Sequence, residues 1–161
     1  MTIVSNTSPL SNLAKIGKLH LLQEIYSQII IPTLVYKELT SIGAGDIVTN
    51  AVQSAAWIKV QQVTNQATVI ALQKKLNDGE AEAIALAIEL KADQLIIDER
   101  MGRREATNLG VEITGILGVL LIAKKRGLIP EVKPIMNTLI TEAVFRISDQ
   151  LYNDIIKSAG E

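Results

Sequence analysis

Residues 79–98 read Gly-Glu-Ala-Glu-Ala-Ile-Ala-Leu-Ala-Ile-Glu-Leu-Lys-Ala-Asp-Gln-Leu-Ile-Ile-Asp. The apolar pattern of residues 79–90 predicts a helix. Residues 94–97, which end in an apolar run, are predicted to form a strand that is buried on both faces. Strands of this kind, separated by helices, are typical of a parallel sheet covered on both faces by helices. Asp98 follows the strand directly, so we expect it at the carboxyl edge of the sheet, where such folds bind ligands.

The same alternation of apolar strands and helices runs along the rest of the chain, which predicts the α/β class. Four further strands are predicted at 2–5, 29–31, 57–63 and 111–114. Further helices are predicted at 10–25 with a break at Gly17, and at 33–40, 48–56, 66–76, 100–109, 115–126, 131–143 and 148–158. With 161 residues, the chain suits one domain rather than two.

Composition excludes several classes of protein. The chain has no cysteine, which excludes disulfides, thiolate zinc sites and a cysteine nucleophile. Its formal net charge is −1, so any surface for nucleic acid has to be local. His20 is the only histidine and is expected to be a helix residue. The first residues lack the features of a signal peptide and the apolar runs are short, so we expect a cytoplasmic protein with no membrane span.

Four oxygen-bearing side chains stand where a predicted strand ends or near a predicted helix start, and together they suit a hard divalent cation. They are Asn6, Glu38, Glu80 and Asp98.

Each of these four residues also has a simpler interpretation when it is taken alone. Asn6 fits a turn or helix cap, and Glu38 fits a solvated surface position. Glu80 fits a capping box with Asn77, and Asp98 fits the N-cap of the helix that follows it. Only the joint pattern favours a cation site.

Several segments together resemble the PIN-domain family, in particular the PIN-like branch related to toxin–antitoxin ribonucleases. Ile-Val-Ser-Asn-Thr-Ser-Pro-Leu at 3–10 is similar to the first-strand motif, in which an aspartate is usual where Asn6 stands. The segments at 29–38 and 79–87 resemble those that carry the second and third acids. The segments at 102–106, 110–120 and 123–129 resemble the PIN-like branch itself. In the family, the third acid precedes the last by eighteen residues, which selects Glu80 over Glu82 as the partner of Asp98.

The resemblance implies a three-layer α/β/α fold with a central, mainly parallel sheet of four to five strands and extra C-terminal helices. It implies a single domain over 1–161, with a core at about 2–130 and a helical extension at 131–161. The implied activity is a Mg²⁺- or Mn²⁺-dependent endoribonuclease that cleaves single-stranded RNA, as the toxin of a toxin–antitoxin pair. A small antitoxin protein is the implied partner. The apolar run 119–122 fits either the core or a homodimer interface, and core packing is expected.

The resemblance also assigns roles to side chains. Glu38, Glu80 and Asp98 would be the catalytic carboxylates and, with Asn6, the metal ligands. Supporting roles would fall to Thr7, Ser8 and Glu82. Three cations after Asp98 would neutralise RNA phosphates or, alternatively, pair with Glu99 and Glu105 within their own helix; they are Arg100, Arg103 and Arg104.

Asn6 departs from the family pattern because an amide replaces a carboxylate. Its carbonyl oxygen can still coordinate a cation, but the site has three negative charges instead of four. We therefore expect weaker metal binding and slower cleavage. The alternative is a PIN-like module that no longer cleaves and acts by associating with protein or RNA.

Overall fold

A sheet of five strands lies at the centre of the computed structural model, which describes residues 1–161. The strands are β1 (Ile3–Ser5), β2 (Ile29–Pro32), β3 (Ile58–Gln61), β4 (Gln94–Ile96) and β5 (Ile113–Thr114). Their order is β3-β2-β1-β4-β5, and every neighbouring pair is parallel. The predicted mainly parallel sheet of four to five strands is thus confirmed, with five strands and no antiparallel pair.

Ten helices connect and extend these strands, at the positions that the apolar periodicity predicts. They are α1 (Thr7–Lys15), α2 (His20–Tyr26), α3 (Thr33–Leu39), α4 (Ile47–Ser54), α5 (Gln66–Gln73), α6 (Asp78–Glu89), α7 (Arg100–Asn108), α8 (Ile116–Lys125), α9 (Lys133–Glu142) and α10 (Asp149–Ser158). None of them is long and apolar enough to span a bilayer.

The sheet separates two apolar cores, as a three-layer α/β/α fold requires. Alternate residues of β1 serve the two sides: Ile3 belongs to the larger core and Val4 to the smaller one. The larger core contains α1, α2, α8 and α9, and the smaller one contains α5 and α6. Val119 and Leu120 are fully buried, so this part of the apolar run 119–122 serves the core, as expected.

The strand order places the topological switch point beside β1. The chain leaves β1 for β2 on one side and later returns to β4 on the other, which opens a crevice at the carboxyl ends of β1 and β4. Ser5 pairs with Ile96, and the backbone N–H of Asn6 donates to the carbonyl of Ile96 at 2.9 Å. Asn6 and Asp98 therefore lie just beyond two adjacent strands, at the edge that the sequence predicts.

The extra C-terminal helices pack against the rest of the fold. α9 buries Ile135, Met136 and Leu139 in the larger core. The carboxylate of Glu161 accepts backbone hydrogen bonds from Val132 and Lys133, at 2.7 and 3.0 Å, and pairs with Lys124 of α8 at 2.9 Å. The bond from Val132 is the main reason why the pKa of Glu161 falls to about 2.

Candidate functional site

Asp98 has one carboxylate oxygen that the protein leaves without a partner. Its Oδ1 accepts a hydrogen bond from the N–H of Ile116, the first residue of α8, at 3.0 Å. Its Oδ2 is buried and has no hydrogen-bond partner. Burial raises the pKa of Asp98 to about 6, although the Ile116 hydrogen bond and the charge of Arg103 oppose this shift. An unpartnered, buried carboxylate oxygen of this kind is available to a cation.

The interpretation of Asp98 as the N-cap of α7 is wrong. The N-cap position belongs to Glu99, and no side chain caps that helix. Asp98 instead bonds to the start of α8, because β4 and β5 are neighbours and α8 begins directly after β5.

The side chain of Asn6 is also free of hydrogen bonds within the protein. Asn6 occupies the N-cap position of α1, as its cap interpretation predicts, but its side chain makes no capping hydrogen bond. The residue is only 3% exposed. Close by in the sequence, the Oγ of Ser8 is buried and unpartnered. The amide carbonyl of Asn6 is thus available at the carboxyl end of β1.

Glu80 forms the predicted capping box, and this leaves its second oxygen free. Its Oε1 accepts from the N–H of Asn77 at 3.2 Å, while the N–H of Glu80 donates to Asn77 Oδ1 at 2.8 Å. Its Oε2 lies towards Gly102 of α7. Burial is the main cause that raises the pKa of Glu80, and the nearby charges of Glu99 and Glu38 raise it further. The capping role and a role at the site are therefore compatible.

Glu38 is exposed at the end of α3, as expected for a solvated surface residue, but its carboxylate contacts other parts of the protein. Its Oε1 accepts from the Oγ1 of Thr7 at 2.8 Å and lies against Gly79 at the start of α6.

Glu82 follows Gly79 by three residues, so it lies on the same side of α6 one turn further on. The Oε2 of Glu82 is buried without a partner.

Three glycines that no sequence pattern assigns to the site each make room for one site carboxylate. A Cβ at Gly79 would overlap Glu38 Oε1, and one at Gly115 would overlap Asp98 Oδ1. A Cβ at Gly102 would lie 3.2 Å from Glu80 Oε2 and 2.6 Å from the Cδ1 of Ile97. None of the three has a positive φ, so space is what excludes a larger side chain here.

Replacing Gly115 with alanine is expected to lower the free energy of unfolding by about 1–3 kcal/mol, because the new Cβ overlaps Asp98 Oδ1 and Arg103 Nη1. Asp98 would have to turn away from the Ile116 N–H. Denaturant unfolding of the variant measures the loss. Gly118→Ala is the comparison, since its Cβ would lie 2.5 Å from the Thr114 hydroxyl, which can rotate away, whereas Asp98 is held by the Ile116 N–H. An alanine at 115 that costs no more than one at 118 would contradict this account.

The acidic groups are near one another without forming an assembled metal centre. No group of three or more His, Cys, Asp or Glu side chains is arranged to hold a metal ion. The carboxylate of Asp98 bonds to the start of α8, whereas the carboxylates of Glu38 and Glu80 lie at the start of α6. The donors fit a hard cation in kind, since all are oxygens and one oxygen of Asp98 is buried and unpartnered.

Glu99 connects these two groups electrostatically, although its sequence position predicts only pairing with the arginines. Its charge raises the pKa of both Asp98 and Glu80. Its place directly after Asp98 is the only signal for this role in the sequence.

The arginines after Asp98 are not paired with the glutamates of their own helix, so that alternative is wrong. Glu105 pairs with Lys75 at 3.6 Å, and neither Glu99 nor Glu105 has an arginine partner. Arg103 donates from Nη1 to the carbonyl of Ile97 at 2.7 Å. Arg100 and Arg103 line a cavity of about 510 Å³ that also includes Asp98, whereas Arg104 lies outside it.

Comparison with known proteins agrees with this fold. No curated protein matches the chain significantly. A family model described as PIN domain matches residues 2–161, which is nearly the whole chain. PIN domains form a nuclease-type family whose members generally use divalent metal ions and bind RNA. The chain belongs to the PIN-domain family.

Proposed function

We propose that this PIN domain is a Mg²⁺- or Mn²⁺-dependent endoribonuclease that cleaves single-stranded RNA. The observation that supports it best is the buried, unpartnered Oδ2 of Asp98 beyond β4, beside β1 and the unbonded amide of Asn6. Two available oxygens at the switch point of a parallel sheet are suited to a cation and a phosphate ligand.

In this proposal Asn6 and Asp98 bind the cation directly, and Glu80 and Glu38 complete the acidic set. When bound, such a cation polarises the phosphate and lowers the pKa of an attacking water. Asp98 is held for this role by the Ile116 N–H, and Glu38 is held by the hydroxyl of Thr7. Ser8 and Glu82 have supporting roles, through buried oxygens that no protein group satisfies. Arg100 and Arg103 neutralise phosphates beside Asp98.

The test is cleavage of a labelled single-stranded RNA in Mn²⁺. Glu80→Gln keeps the capping geometry but removes one negative charge, and it is expected to cleave at least about 100-fold more slowly than the parent. Glu82→Gln tests whether Glu82 rather than Glu80 is the ligand. Glu112→Gln, an exposed glutamate before β5, is the control and should cleave like the parent. Equal traces of cleavage by parent and Glu80→Gln would indicate contamination and contradict the proposal.

A second candidate function is a PIN module that binds RNA or protein without cleaving. Two observations favour it: no three acidic groups are arranged to hold a metal ion, and Asn6 contributes no charge. It predicts that RNA binds equally well with Mn²⁺ or with a chelator and is never cut. The cleavage experiment therefore separates the two functions.

We also propose the biological setting and the domain limits that the family resemblance implies. The protein would act in the cytoplasm as the toxin of a toxin–antitoxin pair, and a small open reading frame next to its gene would support an antitoxin partner. Residues 1–161 would form one domain, with a core at about 2–130 and an extension at 131–161. The burial of Ile135, Met136 and Leu139 beside α1 supports a single cooperative unit.

A further inference from the structure

The cavity that contains Asp98 is closed on one side by the C-terminal extension. Asp98, Arg100 and Arg103 line it, together with Phe145 and Arg146 from the segment between α9 and α10. Leu117 and Leu121 of α8, with Leu151 and Ile155 of α10, supply apolar walls. The cavity thus joins the candidate site to helices beyond the expected core at 2–130.

We infer that this cavity is the substrate groove, in which a base of single-stranded RNA stacks on Phe145 while Arg146 and Arg100 bind the flanking phosphates. The inference rests on the proposed nuclease function and adds a role for the C-terminal extension. Phe145 and Arg146 are substrate-positioning residues in this view.

The charge of the cavity favours a polyanion. It is lined by three arginines and one acid, Asp98, although the whole chain has a formal net charge of −1. None of the three arginines takes part in an ion pair. Arg100 and Arg146 are exposed, whereas Arg103 donates to the carbonyl of Ile97. Unpaired guanidinium groups beside a catalytic carboxylate are suited to phosphates.

The apolar part of the cavity favours a base over a bare anion. Phe145 is the only phenylalanine in a chain with 3% aromatic residues, and it is half-buried against the larger core. Aromatic side chains stack on bases of any sequence, and arginines follow the backbone, which is the usual pattern for single-stranded nucleic acid. A cavity of about 510 Å³ suits an unstacked nucleotide rather than a duplex.

The backbone before Phe145 shows that its position is constrained. Val144 has a φ of 53°, a left-handed conformation that is rare for a β-branched residue. The next N–H, that of Phe145, donates to the carbonyl of Leu139 at 3.0 Å and fixes the turn after α9. Val144 itself is 74% exposed and lies outside the groove. The strained turn brings Phe145 and Arg146 to the groove, as expected where a backbone conformation serves a function.

The test measures binding of a short labelled single-stranded RNA by fluorescence anisotropy, in EDTA and at several salt concentrations. Arg146→Gln should weaken binding about five-fold or more and reduce the salt slope by about one. Phe145→Leu should weaken binding by about five-fold or more. The same variant should bind an abasic strand of equal length as the parent does, because that strand has no base to stack. Lys59→Gln, at the opposite edge of the sheet on β3, is the charge control and should bind like the parent.

Each result decides the inference. If the parent protein does not bind RNA, or if Arg146→Gln and Lys59→Gln have equal effects, the cavity is not the RNA-binding groove. Equal losses for normal and abasic RNA in Phe145→Leu would overturn stacking. Arg146 is exposed, so its variant is informative even if Phe145→Leu is unstable. Binding is measured in EDTA and therefore does not depend on cleavage. A parent that binds through the groove but does not cut RNA in Mn²⁺ would contradict only the proposed nuclease activity.

Discussion

Replacing Asp98 with asparagine is expected to raise the free energy of unfolding of the metal-free protein at neutral pH by about 3 kcal/mol. The reason is that burial raises the pKa of Asp98 from 3.8 to about 6. An acid with a raised pKa binds its proton more tightly in the folded state. Its cost is therefore absent below pH 3.8 and complete above about pH 6, so stability falls as pH rises through this window. Asparagine stays neutral and avoids that cost.

The measurement compares denaturant unfolding of parent and Asp98→Asn across this pH range in EDTA, and then in Mn²⁺. The variant should gain nothing at the acidic end and most at neutral pH, and it should lose the stabilisation that Mn²⁺ gives the parent. Asp154→Asn, an exposed aspartate on α10, is the control and should follow the parent throughout. A difference between parent and Asp98→Asn that does not change with pH would contradict the assigned burial cost.

Local patterns predict the elements of this fold well, because each depends on residues close in sequence. The predicted limits of an element shift where a local helix-capping contact competes. The strand predicted at 111–114 pairs only at Ile113–Thr114, because the N–H of Val111 bonds to the carbonyl of Ala106 and closes α7 instead. Likewise α6 begins at Asp78, one residue before its predicted start, since Asn77 caps it. The strand order was not predicted from these patterns.

The candidate site was predictable in part for the same reason. Strand ends indicate where Asn6 and Asp98 lie, and the spacing of Asn77 and Glu80 predicts the capping box. Gly115 makes no hydrogen bond to a site residue, and it contacts Asp98 only because β4 and β5 are neighbours. The sequence alone therefore does not predict this contact. The sequence likewise does not predict that Phe145 lines the cavity, because this position depends on how α10 packs against α8.

Restoring a carboxylate with Asn6→Asp is expected to have opposite effects on the free protein and on its cation complex. Asn6 is 3% exposed and lies one strand from Asp98, whose Oδ2 is buried. A second buried carboxylate there should lower the free energy of unfolding in EDTA by about 2–4 kcal/mol, through desolvation and repulsion. A bound divalent cation would offset both costs, so Mn²⁺ affinity should rise about ten-fold or more. RNA cleavage should become faster in proportion to metal occupancy.

Thermal unfolding in EDTA and across a Mn²⁺ titration measures both effects without depending on activity. Asn153→Asp, which adds the same charge at an exposed position on α10, is the matched control and should change neither stability nor Mn²⁺ response. If Asn6→Asp is as stable as the parent in EDTA and is stabilised no more than the parent by Mn²⁺, that result would contradict a cation site at the β1–β4 crevice. If instead stability falls in EDTA and recovers in Mn²⁺, the amide at position 6 exchanges metal affinity for stability of the metal-free fold.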